Sequence, residues 1–216
     1  MAKMDAVLFD LDGTLLNSHD LILASMDYAV STVLGKKLPE AQLMQYVGTP
    51  LDPQMLIFAD GDEELGARLS AAYRQYNESV HDQRVKAYPG IDDALRQIQQ
   101  AGIPMGVVTS KRHRLAQRGV EIIGLADYMQ LLIGPDDFPA HKPDPGPVLE
   151  ACRRMGVDPA RCAYVGDSPF DMHAGVAAGC AAVGCTWGFF AREALEAEHP
   201  AHIINDPQQL VCIALG

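Results

Sequence analysis

From residue 87 onward, short apolar runs alternate with stretches of helical periodicity. The apolar runs predict strands at 105–109, 129–133, 160–166, 181–185 and 202–205. The periodic stretches predict helices at 91–101, 115–123, 147–155, 169–178 and 191–197. Because single helices join successive strands, right-handed crossovers give a mainly parallel sheet with both faces covered. We therefore predict an α/β fold with a doubly wound, Rossmann-like parallel sheet core.

The start of the chain supplies one more strand and a long insertion. An apolar run up to Phe9 predicts the first strand, yet the next strand of the alternation begins only at residue 105. An ordinary βαβ unit needs about 30 residues, so the surplus needs its own place in the fold. Helical spacing within the surplus predicts helices at 20–34, 39–46, 53–59 and 63–80. We predict a core of residues 1–16 and 87–216 and an inserted helical domain of residues 17–86.

Charge and length exclude several classes of protein. The chain has 28 acidic and 17 basic residues and a net charge of −11, which disfavours nucleic acid or an acidic membrane as partner. We expect its densest basic run, 111–114, to solvate a helix start. No apolar stretch approaches the roughly 20 residues that span a bilayer, and the N-terminus lacks the pattern of a signal peptide. We expect no membrane contact and a cytoplasmic location.

Cysteine and histidine usage gives no sign of disulfides or zinc. The five cysteines include no Cys-x-x-Cys pair, and an odd number cannot all pair within one chain. The seven histidines show no spacing typical of a zinc site. We expect reduced thiols and no zinc enzyme.

Polar residues stand at the predicted carboxyl ends of three core strands. Asp10 and Asp12 end the first strand, Thr109 and Ser110 follow the second, and Asp167 follows the strand at 160–166. In a parallel sheet these ends share one edge, where open α/β sheets bind their ligands. We therefore expect these side chains to meet, together with Lys142 from a turn-rich segment.

This set of side chains suits phosphoryl transfer. A carboxylate can attack phosphorus and split one difficult hydrolysis into two easier steps. Asp10 and Asp167 can hold a hard cation such as Mg²⁺, which offsets the repulsion between carboxylate and phosphate. Thr109 and Lys142 can bind the phosphoryl oxygens, and Asp12 is then free to move protons. Taken singly, each residue also has a structural explanation, such as a solvated Asp-Gly turn or a strand-ending threonine.

Order and spacing carry more information than any single residue. The chain contains Asp-x-Asp-Gly-Thr at 10–14, Thr-Ser at 109–110, Lys-Pro-x-Pro at 142–145 and Gly-Asp-Ser-x-x-Asp at 166–171. Together they resemble the four motifs of the haloacid dehalogenase-like (HAD) hydrolase superfamily, over the whole of the core.

The resemblance implies roles for the residues in these motifs. Asp10 would be the nucleophile and Asp12 the acid/base. Thr109, Ser110 and Lys142 would bind the phosphoryl group.

The resemblance also implies a metal site. Asp10, the main-chain carbonyl of Asp12, and Asp167 would hold Mg²⁺. Asp171 matches an acidic position that more often supports the metal site than ligates directly. A carboxylate in the first turn of a helix, favoured by the helix dipole, is its structural explanation.

The inserted helices resemble the family's cap domain, which closes over the strand ends. Within them Val47, Gly48, Thr49 and Pro50 resemble the loop that selects the leaving group, although a plain turn between helices explains the same residues. The haloacid dehalogenases lack an aspartate at the position of Asp12, so its presence favours phosphatase chemistry. The absence of basic residues between 46 and 54 modestly disfavours a sugar phosphomutase.

Within the family, the chain is most similar to phosphoglycolate phosphatases and their pyrophosphatase relatives. The similar segments are 9–15, 88–90, 134–137, 142–145 and 165–168. Asn17 and His141 depart from what relatives often carry, so the subgroup is less firmly indicated than the superfamily.

We expect a Mg²⁺-dependent phosphatase that hydrolyses a small, phosphoglycolate-like phosphate monoester through an aspartyl phosphate. Inorganic pyrophosphate, nucleotides and sugar phosphates are alternative substrates. A phospho-acceptor signalling domain, which uses similar side chains without turnover, is the alternative of another class. Such domains are about half this length and have no helical insert. We expect a small-molecule partner and a monomer or homodimer.

Overall fold

A computed structural model describes residues 3–216 of the chain. It contains eight strands: β1 (Ala6–Phe9), β2 (Leu16–Asn17), β3 (Lys86–Ala87), β4 (Met105–Val108), β5 (Met129–Ile133), β6 (Cys162–Gly166), β7 (Ala181–Cys185) and β8 (His202–Ile204). Its ten α-helices are α1 (His19–Leu34), α2 (Glu40–Met44), α3 (Leu51–Phe58), α4 (Glu63–Arg84), α5 (Ile91–Gln100), α6 (His113–Ile122), α7 (Gly146–Met155), α8 (Pro169–Ala177), α9 (Arg192–Glu196) and α10 (Gln208–Leu215).

Six strands form one parallel sheet in the order β5-β4-β1-β6-β7-β8. The first strand of the chain therefore lies in the middle, with β4 on one side and β6 on the other. The strand order reverses direction at β1. Sheets of this kind bind their ligands at such a point, outside the carboxyl ends of the strands. The predicted doubly wound, Rossmann-like α/β core is confirmed.

Both faces of the sheet are covered by helices, which explains why its strands are apolar throughout. Along β1, Val7 and Phe9 face a core shared with α5, α6 and α10, whereas Ala6 and Leu8 face a core shared with α7 and α8. Successive side chains of a strand point to opposite faces, so a strand between two helical layers must be apolar at every position.

The helices α1 to α4 have an apolar core of their own. Met26, Met55 and Leu69 are fully or almost fully buried within it. The chain enters and leaves these helices through β2 and β3, which pair antiparallel with Leu16 opposite Ala87. The division into a core and a cap domain at these points stays a prediction.

One helix lies outside the predicted elements. The helix α10 packs against α5 and buries Leu210, Ile213 and Ala214. Its eight residues are mostly apolar, so the sequence shows no clear helical periodicity there. Several boundaries also differ: α4 extends to Arg84 instead of residue 80, α6 begins at His113 instead of residue 115, and residues 159–161 form a 3₁₀ turn before β6.

None of the helices within residues 3–216 is both long enough and apolar enough to cross a membrane.

We expect the contact between α5 and the sheet to make a large contribution to stability. Ile98 on α5 is fully buried, so Ile98→Ala should lower the free energy of unfolding by about 2–5 kcal/mol. Exposed Gln100 lies on the same helix, and Gln100→Ala should change it by less than about 0.5 kcal/mol. Urea unfolding followed by circular dichroism measures both. Equal effects of the two substitutions would contradict this assignment of the core.

Candidate active site

The carboxyl ends of three neighbouring strands bring polar side chains together, as predicted. Asp10 follows β1, Thr109 follows β4 and Asp167 follows β6, and all three are buried. The backbone continues the strand pairing at these positions, since Asp10 N donates to Val165 O at 2.8 Å.

Lys142 joins this group from the loop between β5 and α7. Its Nζ donates to Asp10 Oδ1 at 2.8 Å and to Asp171 Oδ1 at 2.6 Å, with all three side chains almost fully buried. Burial and the Asp171 charge raise the pKa of Asp10 to about 7, although Lys142 opposes this effect. Burial would lower the pKa of Lys142, but the two carboxylates outweigh it and raise that pKa above its ordinary value.

Asp171 is held by a dense set of donors. Its Oδ1 accepts from Tyr164 Oη at 3.0 Å as well as from Lys142, and its Oδ2 accepts from Ser168 N at 3.1 Å and Ser168 Oγ at 2.5 Å. Ser168 in turn caps α8, because its Oγ accepts from Asp171 N at 3.2 Å. Both carboxylate oxygens of Asp171 are thus engaged in holding Lys142 and the start of α8.

Asp167 sits in a tight pocket of backbone. Its Oδ1 accepts from Thr14 Oγ1 at 3.2 Å and its Oδ2 accepts from Phe189 N at 2.7 Å. A Cβ atom on Gly13 or on Gly188 would lie 2.3 Å from Asp167, so only glycine allows this close approach. Burial and the nearby carboxylates of Asp171 and Asp10 raise the pKa of Asp167 well above its ordinary value.

Three carboxylates of this pocket are close enough to share one ion. Asp10, Asp167 and Asp171 each present an oxygen within 4.8 Å of the others. Three carboxylates face a single lysine ammonium there, and an all-oxygen donor set suits a hard cation such as Mg²⁺. The residues present therefore fit the predicted metal.

The Asp12 carboxylate points elsewhere. Its oxygens accept from Lys111 Nζ at 3.0 and 3.1 Å, and Oδ1 also accepts from Ser18 Oγ at 2.6 Å. Asp12 is predicted to contribute its main-chain carbonyl to the metal site, so these side-chain hydrogen bonds do not conflict with that prediction. The expectation that the basic run only solvates a helix start is wrong for Lys111, whose side chain is 8% exposed.

The two hydroxyls after β4 have different surroundings. Thr109 Oγ1 accepts from Lys111 N at 3.1 Å and lies at the floor of the cleft. Ser110 Oγ donates to Gly48 O at 2.8 Å, so it joins this loop to the inserted helices. Phosphate binding by either residue stays a prediction.

The predicted specificity loop lies over the strand ends. Val47, Gly48, Thr49 and Pro50 all line a cleft of about 680 Å³ that also contains Asp10 and Asp12. Gly48 has a φ of +105°, and a Cβ atom on it would approach Phe170 and Ser168 to 3.0 and 3.1 Å. The loop is therefore packed onto the core at the site.

Three arginines line the cleft together with several carboxylates. Arg74 pairs with Asp52 and Arg114 pairs with Glu78. Arg112 lines the cleft beside them. Among the described residues, Arg112 has no carboxylate within 4 Å of its guanidinium, so it is the one of the three that is available to an anionic ligand.

Sequence reasoning missed the loop after β7. Gly188 and the Phe189 amide contact Asp167, and Trp187 Nε1 donates to Thr14 O at 3.0 Å. The sequence signal for this loop is Gly188, which follows β7. Because β7 is parallel to β6, the loop after β7 lies at the same edge of the sheet as Asp167.

A family model described as haloacid dehalogenase-like hydrolase matches residues 7–185. This range contains Asp10, Asp12, Thr109, Lys142, Asp167 and Asp171. The chain therefore belongs to the haloacid dehalogenase-like hydrolase family, and it is an enzyme of the phosphatase type.

Individual relatives cover almost the whole chain. A protein of Caldanaerobacter subterraneus named "Putative pyrophosphatase PpaX" is 36% identical over 214 residues, 99% of this chain and 96% of that one. Pyrophosphatase PpaX of Bacillus pumilus is 30% identical over 98% of this chain and 97% of that one. A crystal structure of a "predicted phosphoglycolate phosphatase" from Haemophilus somnus covers 99% of both chains, with a TM-score of 0.89 and 26% identity.

The raised pKa values in the carboxylate pocket predict a loss of stability with rising pH when no metal is bound. An unfolded aspartate has a pKa of about 3.9, whereas the pKa of folded Asp10 is raised to about 7. Between these values the folded chain binds more protons than the unfolded chain, so the free energy of unfolding falls as pH rises. Asp167, whose pKa is also raised, acts in the same direction.

Urea unfolding in EDTA from about pH 5 to about pH 8 measures this slope. Asp167→Asn should flatten it and should be more stable than wild type at the high end. Exposed Asp27 offers a matched control, and Asp27→Asn should follow wild type. Parallel curves for wild type and Asp167→Asn would rule out this account.

Proposed function

We propose that this chain is a Mg²⁺-dependent phosphatase that works through an aspartyl phosphate on Asp10. The observation that carries the proposal is the buried Asp10 at the end of β1, held at 2.8 Å by Lys142 and opening onto a cleft with Asp12. A carboxylate fixed at the floor of a cleft is positioned as a nucleophile.

In the first step, an Asp10 oxygen bonds to phosphorus while the bond from phosphorus to the leaving oxygen breaks. Asp12 donates a proton to that leaving oxygen. In the second step Asp12 takes a proton from water, whose oxygen bonds to phosphorus and releases Asp10 and inorganic phosphate. The Lys111 ammonium and the Ser18 hydroxyl hold the Asp12 carboxylate for this work.

The donors proposed for Mg²⁺ are Asp10, Asp167 and the main-chain carbonyl of Asp12, with Asp171 supporting the site through Lys142. When bound, the cation offsets the repulsion between carboxylate and phosphate and stabilises charge on the phosphoryl oxygens. In this proposal Thr109 and Lys142 bind those oxygens, Ser110 holds the specificity loop, and residues 17–86 form the cap.

For the substrate, Arg112 in the cleft supports a phosphate compound with an anionic leaving group. Arg112 and its neighbours lie where the part of the substrate beyond the phosphoryl group would extend. Phosphoglycolate, whose leaving group carries a carboxylate, fits this description. Inorganic pyrophosphate fits it as well, and two relatives that match nearly the whole chain bear the name pyrophosphatase PpaX.

We expect Asp10→Asn to reduce phosphate release by at least about 10⁴-fold, the scale on which loss of a nucleophile acts. Asp12→Asn should reduce it by about 10² to 10⁴-fold, because it removes the proton carrier but leaves the nucleophile. Phosphate release in steady state measures both losses, and quenched samples measure phosphoprotein.

Asp27→Asn is again the control, because Asp27 is exposed on α1 and does not line the cleft. Release of phosphate by Asp12→Asn at the wild-type rate would overturn the role of Asp12. A durable phosphoprotein in wild type, without turnover of any small phosphate compound, would instead support the signalling-domain alternative.

A substrate screen identifies the leaving group. Phosphate release should be fastest from phosphoglycolate or pyrophosphate, slower from sugar phosphates and nucleotides, and lost in EDTA. Arg112→Gln should raise KM for the best anionic substrate about fivefold, the effect of about 1 kcal/mol, with little change in kcat. For methyl phosphate, which has a neutral leaving group, KM should stay unchanged.

Arg84→Gln removes an exposed arginine that does not line the cleft and should leave both KM values unchanged. Equal increases in KM for charged and neutral leaving groups in Arg112→Gln would contradict this role of Arg112. Activity that survives EDTA would remove the metal from the proposal.

A further inference from the structure

Three of the five cysteines converge in the core, far apart in sequence. Cys152 lies on α7, Cys162 begins β6 and Cys180 lies directly before β7. Their Sγ atoms all lie within 4.8 Å of one another. Cys152 and Cys162 are almost fully buried, and Cys180 is slightly exposed. We call these residues the thiol cluster.

The thiol cluster lies at the opposite edge of the sheet from the active site. Cys162 is the first residue of β6, whereas Asp167 follows its last residue. A strand advances about 3.3 Å per residue, so some 13 Å separate the two ends of β6. The thiols are therefore not part of the carboxylate pocket.

The surroundings of the thiol cluster are apolar. It belongs to the core between the sheet and the helices α7 and α8, where small side chains such as Ala151, Ala174 and Ala178 pack. Sulfur is thus the only soft donor that the cluster offers, and thiolates select thiophilic cations.

The spacing of the sulfur atoms suits a shared ion. A Zn–S bond is about 2.3 Å long, so three sulfurs around one ion lie roughly 3.8 to 4.0 Å apart. The observed upper limit of 4.8 Å needs only a small contraction. Cys180 is 9% exposed, so an ion and a solvent ligand can reach the cluster from that side.

We propose that Cys152, Cys162 and Cys180 bind one thiophilic d¹⁰ cation, Zn²⁺ or Cu⁺, as three thiolates. Each sulfur releases its proton to solvent as its bond to the cation forms, and no electron is transferred. The bound ion joins α7, β6 and the segment before β7, so binding stabilises the folded chain. This site does not depend on the function proposed above.

Co²⁺ titration of the metal-free, reduced full-length protein tests the proposal. One equivalent should produce a sulfur-to-cobalt charge-transfer band, and loss of this band in Cys180→Ser assigns it to the thiol cluster. Cys180→Ser should weaken binding by more than about a hundredfold, since loss of even an outer partner of a metal ligand costs about 10 to 100-fold. Exposed Cys212 lies on α10, and Cys212→Ser should bind as wild type does.

Competition distinguishes the two cations. Stoichiometric displacement of the cobalt band by Zn²⁺ identifies a zinc-type site, and displacement by Cu⁺ alone identifies a copper-type site; either supports the proposal. Zn²⁺ or Cu⁺ should also raise the Tm of wild type and Cys212→Ser by more than it raises that of Cys180→Ser, in which only the carboxylate pocket is left to bind the ion. Absence of the band in wild type, or equal bands in wild type and Cys180→Ser, would show that the thiols only pack together.

Discussion

The site depends on two buried ion pairs that the Lys142 ammonium forms. The ammonium lies between Asp10 and Asp171, two carboxylates that are almost fully buried. A buried charge without a partner is costly, and here one cation serves two anions while Tyr164 and Ser168 complete the hydrogen bonding of Asp171. Because Asp171 also caps α8 with Ser168, the same contacts fix Asp10, Lys142 and a core helix.

One lysine cannot balance three carboxylates, and this imbalance links stability to function. Burial and mutual repulsion raise the pKa values of Asp10 and Asp167. Gly13 and Gly188 lie close to Asp167 from two loops, and Thr14 Oγ1 and Phe189 N donate to its carboxylate, so these contacts hold Asp167 beside the other two carboxylates. A pocket in which buried carboxylates outnumber the cations is suited to hold a divalent cation.

Local patterns predicted much of this arrangement. Strand periodicity and the polar residues that follow β1, β4 and β6 were enough to predict the parallel sheet and the meeting of Asp10, Thr109 and Asp167. The contacts of Lys111 and Gly188 were not predictable in this way, because they depend on how loops from different strands pack at the edge. The helix α10 was missed because its sequence is apolar on every side and too short to show a period.

Two charge pairs cross from α4 to α6 and join the inserted helices to the core. Glu78 pairs with Arg114 and Asp82 pairs with Arg118, one helical turn further along each helix. These pairs are exposed, so each contributes little and is weakened by salt. The hydrogen bond from Ser110 Oγ to Gly48 O is partly buried, so salt weakens it less than it weakens the exposed ion pairs. This bond holds the predicted specificity loop next to the end of β4. Salt should therefore weaken the exposed pairs between α4 and α6 more than the contacts of Gly48 with Ser110, Ser168 and Phe170 at the site.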